Sequence, residues 1–180
     1  MAGPPPAPPS TAPAAPSADT GDTPTDNDEA GPLLLTDPDP SRPLPKAPYF
    51  IEVRGDAVDI VTLTGCGKNR VPSAVFSTYG DPQLILCADG PPDTGPNLTL
   101  GSLSARHAGR FDDGHAQFVF DGEYYETRTR LTVVVTKYGS VGKAVEGGYI
   151  TEVQSLNGTS ARTFFGRFRV LREPDGNVQF

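Results

Sequence analysis

The sequence lacks tryptophan and contains one methionine, two cysteines and two histidines among its 180 residues. The cysteines are separated by 20 residues and form no Cys-x-x-Cys, which argues against a metal or redox pair. No apolar run approaches the roughly 18 residues of a membrane helix. The N-terminus, MAGPPPAPPS, has neither the basic n-region nor the apolar core of a secretory signal. We therefore expect either a protein that is not exported or a mature or cut form of one.

An excess of positive charge is also missing. Lys and Arg number 15 and Asp and Glu number 22, which gives a net charge of −7. Residues 1–47 hold seven acids and two bases, a net −5, whereas residues 48–180 hold 15 acids and 13 bases, a net −2. A surface that binds phosphates needs an excess of basic residues, so we expect no nucleic-acid partner.

Large apolar residues are scarce in the first part of the chain. Residues 1–47 contain 13 of the 20 prolines, surrounded by Ala, Ser, Thr and Asp. Such a composition cannot offset the entropy of ordering, so we predict a disordered, acidic, Pro/Ala-rich arm, partly polyproline-like. Its only apolar patch is Leu33–Leu35, in GPLLLTDP. That patch is either a short docking peptide or an idle cluster.

From Pro48 onward the sequence contains runs rich in Val, Ile, Thr, Tyr and Phe, separated by Gly, Pro, Asp and Asn clusters. This texture is typical of strands and turns, and no segment shows sustained 3.6-residue periodicity. We therefore expect an all-β fold, either a sandwich or a barrel. The predicted strands are 49–54, 57–64, 73–79, 83–87, 97–103, 115–121, 127–137, 148–156 and 162–172.

The stretch LTLGSLSARHAGRFDD has the spacing of a strand, a corner and a second strand. Its landmarks are Leu98, Leu100, Leu103, His107, Gly109, Phe111 and Asp113. This spacing resembles the E–F region of V- or I-type domains of the immunoglobulin superfamily, L-x-I-x-x-L-x-x-x-D-x-G-x-Y-x-C. The further matches are Gly55, Val58 and Ile60 in the B strand, Thr62 at its cysteine position and Phe76 at the C-strand tryptophan position.

The resemblance implies an Ig-like β-sandwich over residues 48–138 that lacks the inter-sheet disulfide, because Thr62 and Asp113 stand at the cysteine positions. An inward Asp113 would need a hydrogen bond to Thr62; the alternative is that it lies in the next turn. Residues 139–180 exceed the family domain. They indicate an extra C-terminal hairpin around Asn157–Gly158, which could add strands to the sheet, pair with a partner or begin a second module.

The cysteines and two sequons bear on the compartment. Cys66 and Cys87 can form a disulfide in an exported protein, and they would be free thiols in the cytosol. Asn97 and Asn157 each begin an Asn-x-Thr sequon, so both are predicted glycosylation sites in a eukaryotic secretory route. We predict an extracellular location at a cell or virion surface, or a cytoplasmic one if the cysteines are free.

Other constellations favour ordinary structure over chemistry. The set His107, Asp112, Asp113 and His115 could bind zinc, but Asp113-Gly114 is also a common turn pair, so we predict no metal site. TGCGKNR lacks the first glycine and the final Ser or Thr of a phosphate loop. FFGRFRVLR interleaves aromatic and basic residues, as single-strand nucleic-acid binders do, but a half-buried strand explains it more simply.

Three functions remain to be weighed. The first is a non-enzymatic protein-binding or surface-recognition module on a flexible arm, with Tyr124 and Tyr125 as candidate contacts, because tyrosine is favoured at interfaces. The second is a structural or assembly protein of a virion or surface layer, homo-oligomeric through the C-terminal hairpin. The third is an enzyme built on a lipocalin-like or dirigent-like barrel, which requires a closed barrel with inward polar groups. The sequence supplies no convergent acid, base and nucleophile, so we predict no enzyme, no catalytic residue and no cofactor.

Overall fold

The computed structural model describes residues 42–55, 58–67, 70–78, 83–89, 97–120, 122–158 and 160–176. Within these residues the chain forms nine β-strands and no helix. No helix that is long and apolar enough to cross a membrane occurs in this part of the chain. The predicted arm lies outside the described residues except for its last part, 42–47.

The nine strands correspond one to one with the nine predicted runs, so the all-β prediction is confirmed. They are β1 (Phe50–Gly55), β2 (Val58–Leu63), β3 (Ser73–Ser77), β4 (Gln83–Asp89), β5 (Asn97–Leu103), β6 (Gly109–Phe120), β7 (Glu123–Tyr138), β8 (Ala144–Ser155) and β9 (Ala161–Arg172). β6 and β7 begin several residues before the predicted starts, because the polar residues that precede their apolar runs also belong to the strands.

Seven strands close into a barrel. The ring follows the order β9-β3-β4-β5-β6-β7-β8, and β8 pairs back with β9. β1 pairs with the same edge of β9 that β3 uses, and β2 pairs with β1, so these two strands lie outside the ring. The Ig-like sandwich is therefore wrong: a sandwich has two separate facing sheets, whereas here one sheet curls until its ends meet.

Register shifts explain how the sheet can curl. β6 shifts register against β7 between Phe111 and Gly114, and β7 shifts against β8 between Thr127 and Leu131. Such irregularities bend a strand and increase its local twist, and bends of this kind allow a sheet to close.

The barrel interior is filled mainly by alternating apolar side chains from all seven ring strands. An aromatic group forms part of it, in which Phe164 stacks on Phe118 with ring centroids 4.7 Å apart and meets Tyr125 edge-on at 6.0 Å. Fully buried side chains on neighbouring strands include Leu84, Leu86, Leu98, Leu100 and Leu131.

The corner between β5 and β6 has the predicted strand–corner–strand form. Leu98 and Leu100 face the core as expected. Asp113 does not stand beside Thr62: it is exposed in the irregular part of β6 and accepts a hydrogen bond from the Ser104 amide at 3.1 Å. Because β2 lies outside the barrel, Thr62 faces the Glu52 position of β1 instead. Neither expected position is observed, since Asp113 lies within β6 rather than beside Thr62 or in a turn.

The C-terminal hairpin exists, with Gly158 in its turn at a φ of 72°. Its two strands complete the barrel, since β8 pairs with β7 and β9, and β9 pairs with β8, β1 and β3. The predicted boundary at 138/139 thus falls between two strands that pair in one sheet. Of the three roles considered for this hairpin, adding strands to the sheet is the one observed.

Candidate functional site

β2 is the edge strand of the sheet in the part of the chain that the structure describes. Among the described residues β2 has a strand on one side only, whereas every strand of the ring has a neighbour on both sides. Leu63 is fully buried and Val61 packs partly against the core. On the other face Ile60 is 44% exposed and Thr62 is exposed. The strand therefore offers an unpaired backbone row with side chains alternating between the core and solvent.

The local sequence does little to block this edge. Natural edges are usually blunted by proline, lysine or inward-pointing charges. The β2 sequence, VDIVTL, contains no proline or lysine, and its only charged residue is Asp59. Another strand can therefore approach this backbone row without meeting a residue that lacks an N–H.

A buried ion pair clamps β1, and with it β2, to the barrel. Glu52 of β1 has a side chain only 2% exposed. Its carboxylate pairs with Arg42 on one oxygen and accepts from Nε of Arg167 on the other at 2.9 Å. Arg167 also donates to the backbone carbonyl of Arg42 at 3.1 Å. The two arginines pair with the Glu52 carboxylate, whose negative charge would be costly to bury without partners.

A buried tyrosine supports the same strand from inside. The hydroxyl of Tyr149 donates to the backbone carbonyl of Glu52 at 3.0 Å. Gly166 makes room for this contact, because a Cβ there would lie 1.8 Å from the same carbonyl oxygen. Burial, and after it the negative charge of Glu52, raises the pKa of Tyr149 well above its ordinary value. The hydroxyl therefore stays protonated and keeps donating.

A disulfide fixes the chain just after β2. Cys66 and Cys87 are bonded, with their Cα atoms 5.7 Å apart. Beside them Gly65 and Asp89 exchange two backbone hydrogen bonds, of 3.2 and 2.7 Å. The residues that follow β2 are thus linked to the end of β4, at the same end of the strand as Thr62, which pairs with Glu52. The compartment in which this disulfide forms stays a prediction.

The cysteines also belong to the one grouping of potential metal ligands in the described part of the chain, Cys66, Cys87 and Asp89. Zinc binds thiolates, but both sulfurs are already joined to each other. The carboxylate of Asp89 accepts from the amide of Gly67. In this state the grouping serves the loop rather than an ion.

The histidines and aspartates of the β5–β6 region are used separately. Asp112 accepts from Arg110 at 3.1 Å and from the Thr132 hydroxyl, and these hydrogen bonds, led by that of Arg110, lower its pKa. His107 meets the ring of Phe111 edge-on at 5.5 Å. Within the described residues these side chains form no shared metal-ligand grouping.

The predicted contact pair Tyr124 and Tyr125 divides between two environments. Tyr125 is 1% exposed and lies in the core, so its ring is removed from any contact surface. Its hydroxyl donates to Glu123 at 2.6 Å. Burial and this bond raise the pKa of Tyr125, and the same bond lowers that of Glu123. The two rings are separated because alternation along β7 sends successive side chains to opposite faces. Tyr124 is half-buried, and its contact role stays a prediction.

Both predicted glycosylation sites are exposed. Asn97 is the first residue of β5, and Asn157 lies in the β8–β9 turn. The side chain of Asn157 donates to Glu123 at 3.2 Å and accepts from Ser155. Glycosylation at either position stays a prediction.

Sequence reasoning missed the residues that hold the open edge in place. They are Arg42, Glu52, Tyr149, Gly166 and Arg167. One signal was available, a glutamate in the middle of the apolar run YFIEVR, because a charge within a buried strand needs a partner.

Comparisons of this chain with protein-family models, with curated proteins and with solved structures find no match.

Proposed function

We propose that this chain is a non-enzymatic protein-binding module whose recognition element is the open edge of β2. The observation that carries the proposal is that β2, alone among the nine strands, has one neighbouring strand among the described residues. An extended peptide can add itself to such an edge, where main-chain hydrogen bonds provide affinity and alternating side chains provide specificity.

The side chains of β2 define the partner. A paired strand would place one side chain beside Ile60 or Thr62 on the solvent face and the next beside Val61 on the core face. Since cross-strand pairs involving apolar and β-branched residues stabilise a sheet, the favoured ligand is an extended protein segment of five or six residues. It contains no internal proline and carries apolar residues at alternate positions.

The buried polar groups of the barrel favour binding over catalysis. The enzyme alternative requires inward polar groups ready for a substrate. The two largest fully buried side chains are tyrosines, and both hydroxyls are already engaged, Tyr149 with the Glu52 carbonyl and Tyr125 with the Glu123 carboxylate. These groups support the fold.

The assembly alternative relied on the C-terminal hairpin to pair with a neighbouring subunit, and that hairpin is part of the closed barrel. The strands of the C-terminal hairpin, β8 and β9, have partners on both sides, so neither can join a neighbour while the barrel stays closed. Assembly would have to use the β2 edge, with two copies pairing there. Light scattering on the purified full chain separates the binding-module proposal from the assembly alternative, because assembly predicts a dimer without any added ligand.

The proposal is tested with a displayed library of random 12-residue peptides selected on the immobilised full chain. Enriched peptides are then measured by calorimetry against wild type, Ile60→Lys and Ile150→Lys. Ile150 is a matched control, because it is 39% exposed on the outer face of ring strand β8. We expect Ile60→Lys to weaken binding at least tenfold and Ile150→Lys to leave it unchanged.

Hydrogen exchange locates the bound peptide. We expect the peptide to slow amide exchange in 58–63 more than in any ring strand, because edge amides gain hydrogen-bond acceptors when a strand is added. Equal binding by the two lysine variants, protection confined to another surface or the absence of any enriched peptide would each overturn the proposal.

A further inference from the structure

We infer that Cys66, Cys87 and Asp89 bind Zn²⁺ when a dithiol has reduced the disulfide between the two cysteines. The oxidised chain and the zinc-bound chain are then alternative states of the same three residues. The site joins the chain just after β2 to the end of β4. It is separate from the backbone row proposed to bind a peptide, so each proposal can fail without the other.

The ligand atoms of these residues are already close together. The two sulfurs and a carboxylate oxygen of Asp89 lie within 4.8 Å of one another, and all three residues are half-buried. In a tetrahedral site with Zn–S bonds of about 2.3 Å, two thiolates lie about 3.8 Å apart. The Cα atoms of Cys66 and Cys87 are 5.7 Å apart, so side-chain rotation can bring the sulfurs to that separation once their bond is broken. We therefore expect the ion to bind without rearrangement of the backbone.

Backbone hydrogen bonds hold the three residues in place independently of the disulfide. Gly65 and Asp89 exchange two such bonds, and the amide of Cys66 donates to the carbonyl of Arg70 at 3.0 Å. Cys87 lies within β4, which pairs with β3 on one side and β5 on the other. None of these contacts uses a sulfur atom, so reduction leaves them intact and the two thiols stay beside the carboxylate.

The third ligand is supported as metal-bound carboxylates usually are. Asp89 accepts a hydrogen bond from the amide of Gly67, and hydrogen bonds of this kind orient a ligating carboxylate. A carboxylate has two oxygens, so the same group can also bind an ion. Two thiolates with a carboxylate suit Zn²⁺, whereas Mg²⁺ and Ca²⁺ prefer oxygen ligands alone. Three protein ligands leave the fourth tetrahedral position to water.

The change of state is a thiol–disulfide exchange. A dithiol supplies two electrons and two protons, so the Sγ–Sγ bond breaks, two protein thiols form and the reductant closes its own disulfide. Zn²⁺ then displaces both thiol protons to solvent. The reverse exchange with an oxidised dithiol, which takes up two protons, restores the protein disulfide and releases the ion.

The test uses the full chain, reduced with dithiothreitol, freed of reductant without oxygen and titrated with Co²⁺ and then Zn²⁺. We expect one Co²⁺ per chain with a thiolate-to-metal charge-transfer band that Zn²⁺ removes, and no band for the oxidised chain or for Cys66→Ser with Cys87→Ser. Asp89→Asn should weaken Zn²⁺ binding by about tenfold or more. Asp113→Asn is the matched control, because Asp113 also accepts from a backbone amide but lies on β6. It should bind Zn²⁺ as wild type does.

Near-UV circular dichroism shows whether the reduced chain keeps its native packing. A native spectrum together with the expected band, or a lost spectrum that Zn²⁺ restores, supports the site. A band that forms without a native spectrum overturns it, because the ligands then meet without the fold. Equal Zn²⁺ affinity of Asp89→Asn and Asp113→Asn, no thiolate band in the reduced wild type, or equal binding by the oxidised chain would each overturn it as well.

Discussion

Removal of one hydroxyl, by Tyr149→Phe, tests how β1 is held on the barrel. The hydroxyl is buried and donates to the carbonyl of Glu52 at 3.0 Å. The substitution keeps the ring and removes the donor, so a buried carbonyl loses a partner. Such a loss costs about 1–3 kcal/mol. We therefore expect the free energy of unfolding at pH 7 to fall by that amount.

The same residue predicts a dependence on alkaline pH. Burial raises the pKa of Tyr149 in the folded protein well above the ordinary value of 10.0. Above pH 10 the unfolded chain releases this proton while the folded chain retains it. The stabilising contribution is thus fully present below pH 10 and is lost as the pH rises further, by about 1.4 kcal/mol per pH unit. In Tyr149→Phe, this contribution to the pH dependence of the free energy of unfolding is absent.

Urea unfolding of wild type and Tyr149→Phe at pH 7, 10 and 11 measures both effects. Tyr124→Phe at pH 7 is the control, because it removes a hydroxyl from a half-buried tyrosine of the same barrel and should change stability by less than about 0.5 kcal/mol. Equal stability of Tyr149→Phe and wild type at pH 7, together with equal alkaline slopes, would refute the assigned hydrogen bond.

Three further predictions concern the supports of the fold. Replacing Cys66 and Cys87 with serine opens a link across a sequence separation of 21 and should lower the free energy of unfolding by about 3 kcal/mol in urea titrations; an unchanged midpoint would contradict this. Gly166→Ala should cost about 3 kcal/mol or more, since its Cβ would meet a strand carbonyl, whereas Gly101→Ala has open space and should be near neutral by thermal melting; similar melting temperatures would be inconsistent with the tight contact. Hydrogen bonds depress the pKa of Asp112 below 3.8, so its contribution is present above pH 3.8 and is lost as the pH falls through the folded pKa. Asp112→Asn should therefore flatten the melting-temperature profile between pH 5 and 2, and superimposable profiles would rule this out.

The strands were predictable because their signals are local. Alternating apolar residues and the Gly, Pro, Asp and Asn clusters between them mark strand after strand, and all nine appear. The choice between sandwich and barrel depends instead on distant pairings. Inward and outward residues alternate in both architectures, so the pattern of LTLGSL or TRLTVVV is the same in either one. The closing β8–β9 pairs could not be derived from that pattern.

The immunoglobulin-like spacing around Asp113 illustrates the limit. Leu98 and Leu100 followed by Phe111 describe two core strands joined by a corner, and the barrel contains that unit. The residues that distinguish the family are the cysteine pair and the tyrosine, and the sequence has none of them at those positions. The spacing alone was compatible with any fold that contains such a corner.

The candidate site was less predictable because its parts are far apart in sequence. Glu52 meets Arg167 across 115 residues, and Tyr149 reaches the same strand across 97. The glutamate within an apolar run signalled that a cation was needed, but several arginines could have supplied it. Cys66 and Cys87 were the exception. Two cysteines allow a single intramolecular pairing, so the sequence left open only whether that disulfide forms.

The position of β2 follows from competition for one edge of β9. β1 pairs with Phe164–Arg169 on that edge and β3 takes Leu171 and Arg172, so the β1–β2 hairpin cannot enter the ring. β2 consequently keeps one unpaired side while the ring has removed every other long edge among the described strands. If β2 served only to cover the barrel, a lysine or proline at Ile60 would protect the fold from unwanted pairing at little cost. The exposed isoleucine instead favours pairing, and for this reason we propose β2, rather than the loops at the ends of the barrel, as the recognition element.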